Sequence, residues 1–449
     1  MKITARRRVI VTIAAASVLA VTLGACSGGN NGNSSGGAKS ITLMTTWNDP
    51  VSKKVSADLF AGFTKATGIQ VVSDAQSGNG ATYQPAVRTA MSSSKPPTGA
   101  TDIAGPEVFA MAEGGVLKDL TSFYNKTIKP RALGSAATQG MVLNGKIYGI
   151  SAGTSIGNLL FFNPTYLAKY GVDATTLTTF AKWKSALAKI KAAGGEGVVV
   201  GAKDQWPGGH YLNDLVQREI GSGATTTLYN RSTVAGQPDS PKWTDPAVVK
   251  ALNDYISLKP LFQNGFLGED NSTAGAEFLA GKAGFYEQGS WFLSTIESMP
   301  PSFKTGVMLF PAVDGGAGSG KEITLDQSAL IISKSSDTKA AESFLEYFTR
   351  PSVAAKLQAG FATAMPYKTT KGIASVPSLV KDNFNSINGF VTQAGPNGSA
   401  LFNDQAIATA IYSKYIWQGS VGLMSGAVTP QQLAAQLETA TEAAQKANG

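Results

Sequence analysis

Apolar and polar positions at the start of the folded part of the chain follow the patterns of a strand, a helix and a second strand. Residues 41–47 begin with an alternation of apolar and polar side chains, which predicts a strand. Residues 51–65 carry apolar side chains at helical spacing, and Gly68 follows as a helix stop signal. Residues 69–72 predict the next strand. This order predicts a parallel sheet with crossover helices.

Alternating strand and helix patterns continue to the C-terminus. Further strands are predicted over residues 146–150, 159–162, 197–200 and 305–310. An apolar stripe from Phe180 to Ile190 predicts a helix, and Trp183 lies within that stripe, so we assign it to the core. Asp337 can cap a later helix, and the segment from Thr429 to Gln432 has the form of a capping box. The chain is therefore predicted to be α/β throughout, without internal sequence repeats.

The first 26 residues have the pattern of a cleaved export signal. A basic start, an almost wholly apolar run over residues 9–21 and small residues before Cys26 make up this pattern. The run is shorter than the about 20 apolar residues that a membrane-spanning helix needs. Residues 23–26, Leu-Gly-Ala-Cys, also resemble the lipobox of bacterial lipoproteins, in which the cysteine is lipidated and becomes the mature N-terminus. We therefore expect a signal peptide over residues 1–25 and a lipid anchor on Cys26.

The segment after Cys26 is rich in Gly, Ser and Asn and has nothing to bury, so residues 26–39 are predicted to combine the lipidated cysteine with a flexible linker. About 410 residues then remain, more than one hydrophobic core usually organises. We therefore expect two lobes.

Composition excludes several classes of function. The formal net charge of +8 falls to +4 when the four basic residues of the leader are removed, and no basic cluster remains. No nucleic-acid partner is therefore expected. The chain has one histidine, His210, and one cysteine, which are too few for a clustered zinc site. We expect no metal and no cofactor. We expect His210 to be a surface residue, and its proximity in sequence to Trp206 leaves a contact with the ligand as the alternative.

Six sequence blocks follow one another along the mature chain. They are FTKATGIQV at 63–71, NGKIYGI at 144–150, FNPTYL at 162–167, FLAGKAGF at 278–285 with GSW at 289–291, residues 338–351, and AMP at 364–366. In this order the blocks resemble the extracellular solute-binding proteins of family 1, the maltose-binding-protein-like group. The block that ends in Gly-Ser-Trp is the most specific. The resemblance spans roughly residues 40 to 445.

The resemblance implies an α/β, two-lobed fold like that of periplasmic binding proteins, with a ligand cleft between the lobes and crossing hinge segments. By analogy, residues 41–152 and 306–350 form the first lobe, and residues 153–305 and 351–449 form the second. The implied function is that of a substrate-binding lipoprotein of an ABC importer, not an enzyme. It would capture a carbohydrate, an oligosaccharide, and deliver it to the permease transmembrane subunits. We expect a monomer, anchored through Cys26 to the outer face of the bacterial cell membrane.

Sugar recognition needs aromatic faces for stacking on the ring and a few polar groups that fix its hydroxyls. Trp291 is the first candidate, because the resemblance implies an aromatic platform at the Gly-Ser-Trp block. Trp206 is the second, since it follows a strand at the sheet edge that usually faces a ligand. The resemblance makes Asp204 an acceptor for a hydroxyl. Trp206 precedes Pro207, however, and a packed turn is the competing interpretation.

Further candidates rest on weaker patterns. Trp47, Asn48 and Asp49 occupy the loop after the first strand, where the Asn-Asp-Pro sequence also suits a turn. The remaining candidate lining residues are Glu107, Glu287, Asp326 and Tyr367. No motif places Trp243 or Trp417.

The sequence leaves two other functions open. An exported glycoside hydrolase would need two carboxylates about 5–10 Å apart, and the candidate carboxylates are Asp49, Glu107, Asp204 and Glu287. No catalytic motif accompanies them. A binder of another solute, such as phosphate, iron or a peptide, would have few aromatic side chains in its cleft or a cluster of charged ligands.

Overall fold

The computed structural model describes residues 40–76, 80–372, 374–395 and 397–448. The predicted leader and the predicted lipidation site at Cys26 lie outside the described residues. The strands of the described part are β1 (Ser40–Thr45), β2 (Gln70–Ala75), β3 (Gly99–Ile103), β4 (Val142–Leu143), β5 (Lys146–Ile147), β6 (Gly149–Ile156), β7 (Leu159–Phe162), β8 (Glu196–Val199), β9 (Ala283–Gln288), β10 (Gly306–Leu309), β11 (Ile323–Ile332) and β12 (Ser399–Leu401).

Helices alternate with these strands. The α-helices are α1 (Pro50–Thr67), α2 (Gly80–Met91), α3 (Pro106–Glu113), α4 (Thr121–Phe123), α5 (Pro164–Lys169), α6 (Phe180–Ala192), α7 (Trp206–Asn230), α8 (Pro246–Ile256), α9 (Asn271–Leu279), α10 (Phe292–Ser298), α11 (Thr338–Phe348), α12 (Pro351–Phe361), α13 (Lys381–Ala394), α14 (Asn403–Ala406), α15 (Thr409–Ile411), α16 (Gln418–Ser425) and α17 (Pro430–Asn448). Short 3₁₀ or π turns connect several of them, including one over Tyr412–Trp417.

Two sheets organise the chain. The first has the strand order β12-β11-β3-β1-β2, and β6 also pairs with β11. Within it β1 runs parallel to β2 and β3, as the strand–helix–strand pattern predicts. The second sheet has the order β10-β7-β9-β8. We call the first sheet with the helices packed on it the first lobe, and the second sheet with its helices the second lobe. The predicted α/β class is confirmed.

The chain passes from the first sheet to the second where it leaves β6 for β7 at Gly157 and Asn158, and it returns to the first sheet between β10 and β11. After β12 it continues into the C-terminal segments, which pack in the core of the second lobe. The buried side chain of Asn158 joins the first two crossings, because it donates to the carbonyl of Glu322 (2.9 Å) and accepts from the backbone N–H of Thr324 (3.0 Å). These crossings are the hinge segments of the fold.

Local sequence signals explain several helix ends. Asp49 caps α1 by accepting hydrogen bonds from the first backbone N–H groups of the helix. Asp337 caps α11 in the same way. The capping box at Thr429 is also confirmed: its side chain accepts from the N–H of Gln432 (3.2 Å), and the Gln432 side chain accepts from the N–H of Thr429 (3.0 Å). Trp183 is fully buried, as its apolar stripe predicts.

Two segments belong to the opposite lobe from the one that their predicted boundaries assign. Strand β10 falls in the range 306–350, predicted for the first lobe, but it pairs antiparallel with β7 in the second sheet. Helix α12 falls in the range 351–449, predicted for the second lobe, but Val353 and Leu357 pack in the core of the first lobe. An apolar pattern predicts that a strand or helix forms. It does not predict which lobe that element packs on, because the packing partner is distant in sequence.

Candidate functional site

A cavity of about 560 Å³ lies between the two lobes. This volume is within the range of small-molecule sites. Aromatic and polar side chains from both lobes line it. The aromatic ones are Trp47, Tyr83, Trp206, His210, Tyr286, Trp291, Phe292, Phe361 and Trp417, and the carboxyl and amide ones are Asn48, Asp49, Gln84, Asp102, Asn271, Gln288, Asp326 and Asp404. Six of the ten predicted site residues are therefore in this cavity: Trp47, Asn48, Asp49, Trp206, Trp291 and Asp326.

An aromatic cluster forms the wall that the second lobe contributes. Trp206 and His210 lie one turn apart on α7, with ring centroids 4.7 Å apart. Trp291 meets the edge of Trp206 at 6.3 Å. The imidazole of His210 also stacks on Phe402, with centroids 4.0 Å apart and planes within 14°. Phe402 follows β12 of the first sheet, so this stack joins the lobes beside a hinge crossing.

The Gly-Ser-Trp block fixes the orientation of Trp291. The indole lies over Gly289, where any Cβ atom would overlap the ring. Its Nε1 donates a hydrogen bond to the side chain of Gln288 over 2.7 Å. A glycine two residues before the tryptophan is therefore required for this close approach. The block is specific because it orients a cavity side chain.

Trp47 is the main aromatic contribution of the first lobe. Its ring packs on Phe361 with centroids 5.2 Å apart. Its neighbour Asn48 donates to the carbonyl of Gln76 over 2.7 Å, which holds the loop after β1 in place. Asp49 has both of the positions that the sequence suggests for this loop, because it caps α1 and also lines the cavity.

Carboxyl groups concentrate on the first-lobe side of the cavity. The pKa of Asp326 is raised to about 6 by burial, and the Gln405 amide, which donates to its Oδ1 atom over 2.6 Å, acts in the opposite direction. Burial also raises the pKa of Asp102 and Asp404 well above the ordinary range, and Asp326 adds to the effect on Asp404. The Oδ2 atom of Asp102 and the Oδ1 atom of Asp404 are buried without a hydrogen-bond partner.

His210 is not the surface residue that the sequence predicts. Its side chain is almost fully buried, and burial lowers its pKa to about 3, so the imidazole is neutral at physiological pH. It lies 3.9 Å from Glu287, whose pKa is raised by burial and by Asp214. Because these shifts favour the neutral form of each group, the contact is not an ion pair.

Four predicted site residues do not line this cavity. Asp204 accepts a hydrogen bond from the backbone N–H of Asn271 (2.9 Å) at the start of α9, and therefore stabilises a helix end. The hydroxyl of Tyr367 donates to the carbonyl of Ser151 over 2.7 Å, and its side chain is buried in the first-lobe core. Glu287 is buried on β9.

Glu107 is the fourth, and it joins the two lobes in a different way. It is fully buried, pairs with Arg88 on α2, and accepts a hydrogen bond from the hydroxyl of Tyr412 over 2.5 Å. These residues line a smaller, neighbouring cavity of about 190 Å³.

Sequence reasoning missed several lining residues. Trp417 is the last residue of the π turn over Tyr412–Trp417, and its ring lies against Gly209 of α7. Asp404 follows β12 in the short helix α14. Neither lies in a recognisable motif, and both reach the cavity only through long-range packing. Trp243 belongs to the second-lobe core, where its Nε1 donates to Thr441 over 3.0 Å.

Two further observations narrow the chemistry of the described residues. They contain no group of three or more His, Cys, Asp or Glu side chains arranged to hold a metal ion. No helix among them is long and apolar enough to span a membrane.

A sequence model of the family described as bacterial extracellular solute-binding protein matches residues 38–355 of the chain. The chain belongs to this family. A curated relative of this solute-binding protein is a carbohydrate ABC transporter substrate-binding protein of Streptococcus pneumoniae serotype 4, with 26% identity over 194 residues. That match covers 40% of this chain and 35% of the relative, so the chain spans about a third of the relative's length.

Solved structures resemble the solute-binding protein over nearly its whole length. One was described with xylan utilization by the thermophilic bacterium Caldanaerobius polysaccharolyticus. It has a TM-score of 0.76 and 21% sequence identity, and the match covers 89% of this chain and 99% of that chain. Another is a chitin oligosaccharide binding protein. It has a TM-score of 0.75 and 20% sequence identity, and the match covers 91% of this chain and 100% of that chain. The predicted two-lobed fold and the predicted family are thus confirmed.

Proposed function

We propose that this solute-binding protein captures a carbohydrate in the cavity between its lobes and delivers it to the permease of an ABC importer. The observation that carries this proposal is the meeting of four of the six tryptophans, Trp47, Trp206, Trp291 and Trp417, in one cavity that also holds carboxyl and amide groups.

Indole rings suit the C–H faces of a sugar ring, because they are large, rigid and able to stack without a charge. The indole N–H groups of Trp206 and Trp417 are buried without a hydrogen-bond partner, so each can donate to a ligand oxygen. Buried polar groups are otherwise paired in folded proteins. A polyhydroxylated ligand has C–H faces on which the indole rings can stack. Its oxygen atoms can accept hydrogen bonds from the indole N–H groups.

The polar lining complements sugar hydroxyls. Each hydroxyl donates one hydrogen bond and can accept two. The carboxyl oxygens of Asp102 and Asp404 that lack partners can accept, and the amides of Gln84, Asn271 and Gln288 line the same cavity. A few oriented polar groups among aromatic faces are typical of small-molecule sites.

An oligosaccharide is the form of sugar that we propose, because aromatic side chains face the cavity from both lobes. Trp47 belongs to the first lobe, while Trp206 and Trp291 belong to the second. A ligand that contacts both lobes binds the closed arrangement better than an open one, and so shifts the population toward closure. The permease would recognise that closed arrangement. The names of the relatives, which concern a carbohydrate ABC transporter, xylan utilization and chitin oligosaccharides, support this proposal.

Export and anchoring complete the proposed function. The leader pattern and the lipobox-like residues before Cys26 support a lipoprotein held at the outer face of the cell membrane. A tethered monomer with a flexible linker can reach the permease without leaving the membrane surface.

The test of the proposed site is calorimetric titration of wild-type protein and Trp291→Ala with the sugar that gives the largest thermal stabilisation. We expect the variant to bind about tenfold more weakly or worse, which corresponds to about 1.4 kcal/mol. The matched control is Tyr347→Ala, which removes a partly buried aromatic side chain outside the cavity and leaves affinity unchanged. Equal affinity for wild type and Trp291→Ala would remove Trp291 from the site.

The glycoside hydrolase alternative loses most of its candidate residues. Of its four candidate carboxylates, Glu107, Asp204 and Glu287 do not line the main cavity. Incubation of the protein with the bound oligosaccharide separates the two functions, because a carrier releases no reducing sugar whereas a hydrolase does.

A further inference from the structure

Three buried side chains of α7 face the crossings between the lobes. Asn213, Gln217 and Arg218 are fully buried. The amide group of Asn213 donates a hydrogen bond to the hydroxyl of Thr324 over 3.1 Å, and this hydroxyl donates to the amide oxygen of Gln217 over 3.0 Å. Gln217 in turn donates to the carbonyl of Ile323 over 3.0 Å. The start of β11 is therefore bound to α7.

Arg218 binds both ends of the crossing from β10 to β11. Its Nε and Nη2 atoms donate to the carbonyl of Phe310, directly after β10, over 2.9 and 2.8 Å. Its Nη2 atom also donates to the carbonyl of Glu322 over 3.1 Å, and its Nη1 atom lies 3.2 Å from the carboxylate of that residue. Asn158 bonds Glu322 and Thr324 from the other crossing, so the two crossings and α7 form one hydrogen-bonded unit.

A kink in α7 adds backbone contacts to this unit. Gly221 departs from helical geometry with φ 79° and ψ 160°, a conformation that favours glycine. The carbonyls of Arg218 and Glu219 precede the kink, and they accept hydrogen bonds from the N–H groups of Gly318 (3.0 Å) and Ala317 (2.9 Å). Gly318 and Ala317 lie in the crossing from β10 to β11. Side chains and backbone of α7 therefore fix the same crossing.

The hydrogen-bonded unit lies between the two walls of the main cavity. Trp206 and His210, at the start of α7, belong to the aromatic wall. Ser155 on β6 and Asp326 on β11 line the cavity from the first sheet, close in sequence to the crossings. Gln217 is not among the residues that line the cavity. Its hydrogen bonds to β11 fix the aromatic wall relative to the wall of the first lobe.

We propose that Gln217 is a positioning residue for ligand capture. Its bonds to Ile323 and Thr324 hold the two walls at the separation at which one ligand contacts both, while Gln217 itself does not touch the ligand. This role rests on the proposed function in one respect, that the cavity captures a solute. Because Gln217 acts through β11, its loss should weaken every ligand by a similar factor and leave the order of affinities unchanged.

The matched variants are Gln217→Met and Gln263→Met. Each replaces a buried glutamine that hydrogen-bonds the backbone with an unbranched apolar side chain. Gln263 accepts from the N–H of Val200 over 3.0 Å and donates to its carbonyl over 2.8 Å, within the second lobe. Both variants should lose thermal stability, since each loses buried hydrogen bonds.

Calorimetric titration with xylotriose, chitotriose, maltotriose and raffinose separates the two variants. We expect Gln217→Met to bind each sugar that the wild type binds about tenfold more weakly. Gln263→Met should stay within about twofold of wild type. Thr324→Val removes only the hydroxyl shared by Asn213 and Gln217, and this milder variant should also weaken every sugar.

Double electron–electron resonance measures the lobe arrangement of the ligand-free protein. Nitroxide labels are attached at Lys54→Cys on the first lobe and Lys282→Cys on the second, both exposed positions, in a Cys26→Ser background. We expect Gln217→Met to shift or broaden the distribution of distances between the labels. Gln263→Met should reproduce the wild-type distribution.

Unchanged affinity for a bound sugar in both Gln217→Met and Thr324→Val overturns the positioning role. A distance distribution of Gln217→Met that coincides with that of Gln263→Met also overturns it. If the wild type binds none of the sugars, the proposed function fails, and the distance measurement then decides alone whether Gln217 positions the lobes.

Discussion

The hydroxyl of Ser298 donates a hydrogen bond to the Oδ1 atom of Asp49 over 3.1 Å. Ser298 ends α10 in the second lobe, and Asp49 caps α1 in the first. The same hydroxyl oxygen accepts from the backbone N–H of Val51 at 3.4 Å. A helix cap that lines the cavity is therefore also a direct link between the two lobes. The Ser298 hydroxyl is 2.8 Å from the carbonyl of Ser294 in its own helix, so it retains a partner if the lobes separate.

The link predicts a specific effect of Ser298→Ala. Removal of the hydroxyl takes one hydrogen bond from the arrangement in which the lobes meet, so we expect sugar affinity to fall about two- to tenfold. Thermal stability of the empty protein should change little, and calorimetry with differential scanning fluorimetry measures both quantities. Ser386→Ala is the control, because Ser386 bonds only the carbonyl of Asp382 within α13 among its described hydrogen bonds. Unchanged affinity in Ser298→Ala would mean that the link does not contribute to ligand capture.

His210 should not titrate in the physiological range. It is the one histidine of the chain, so a protein without a histidine tag gives a single set of imidazole signals in an NMR titration. Burial holds its pKa near 3, and the signals should therefore stay constant between about pH 5 and 8, the range in which an unperturbed histidine changes charge. A sigmoidal shift with a midpoint near 6.5 would show instead that the imidazole reaches solvent.

The raised pKa of Asp326 predicts that the stability of the folded protein depends on pH. Its folded pKa of about 6 is above the value of about 3.9 expected in the unfolded chain. The folded state thus favours the protonated form. The resulting stabilisation is fully present below about pH 4 and is lost as pH rises through about 6.

The thermal midpoint of Asp326→Asn should therefore fall less than that of wild type between pH 4 and 7. Asp58→Asn, at an exposed site, should reproduce the wild-type profile. A profile of Asp326→Asn that coincides with wild type would place the pKa of Asp326 near its ordinary value.

The proposed lipid on Cys26 would attach the protein to the membrane. Metabolic labelling with a fatty-acid analogue should modify the wild-type protein, and membrane fractionation should recover it with the membrane. Cys26→Ser should lose both the label and the membrane association, because the thiol carries the proposed lipid. Ser27→Ala, at the adjacent position, should retain them. Release of wild-type protein into the medium without a label would contradict the proposed anchor.

Local sequence signals predict much of the fold and the part of the site that lies close to them. Trp47 lies in the loop after β1, a strand that the sequence pattern predicts. The Gly-Ser-Trp block identifies Trp291 and explains why its ring lies over Gly289. Asp204 lies in the loop that the sequence predicts, but its carboxylate caps α9. A sequence pattern cannot distinguish a ligand acceptor from a helix cap, since both are carboxylates in a loop.

The remainder of the site depends on contacts between distant segments. Asp404 and Trp417 come from the last 50 residues, and their side chains reach the cavity only because β12 pairs with β11 and the C-terminal helices pack on α7. Gly209 and Tyr211, on either side of His210, do not indicate its position in the fold, and its stacking on Phe402 depends on a residue that is distant in sequence. Long-range packing, which no single periodicity records, decides these positions.

A thermal-shift screen of the purified protein tests whether the cavity between the lobes binds a carbohydrate. The panel contains mono- and oligosaccharides together with peptides, phosphate and metal ions. A ligand that binds only the folded state stabilises it by about 2.7 kcal/mol at a hundredfold excess over its dissociation constant. We expect a clear rise of the thermal midpoint with one class of sugar. A rise with peptides, phosphate or metal ions alone, and with no sugar, would mean that the cavity binds another class of solute.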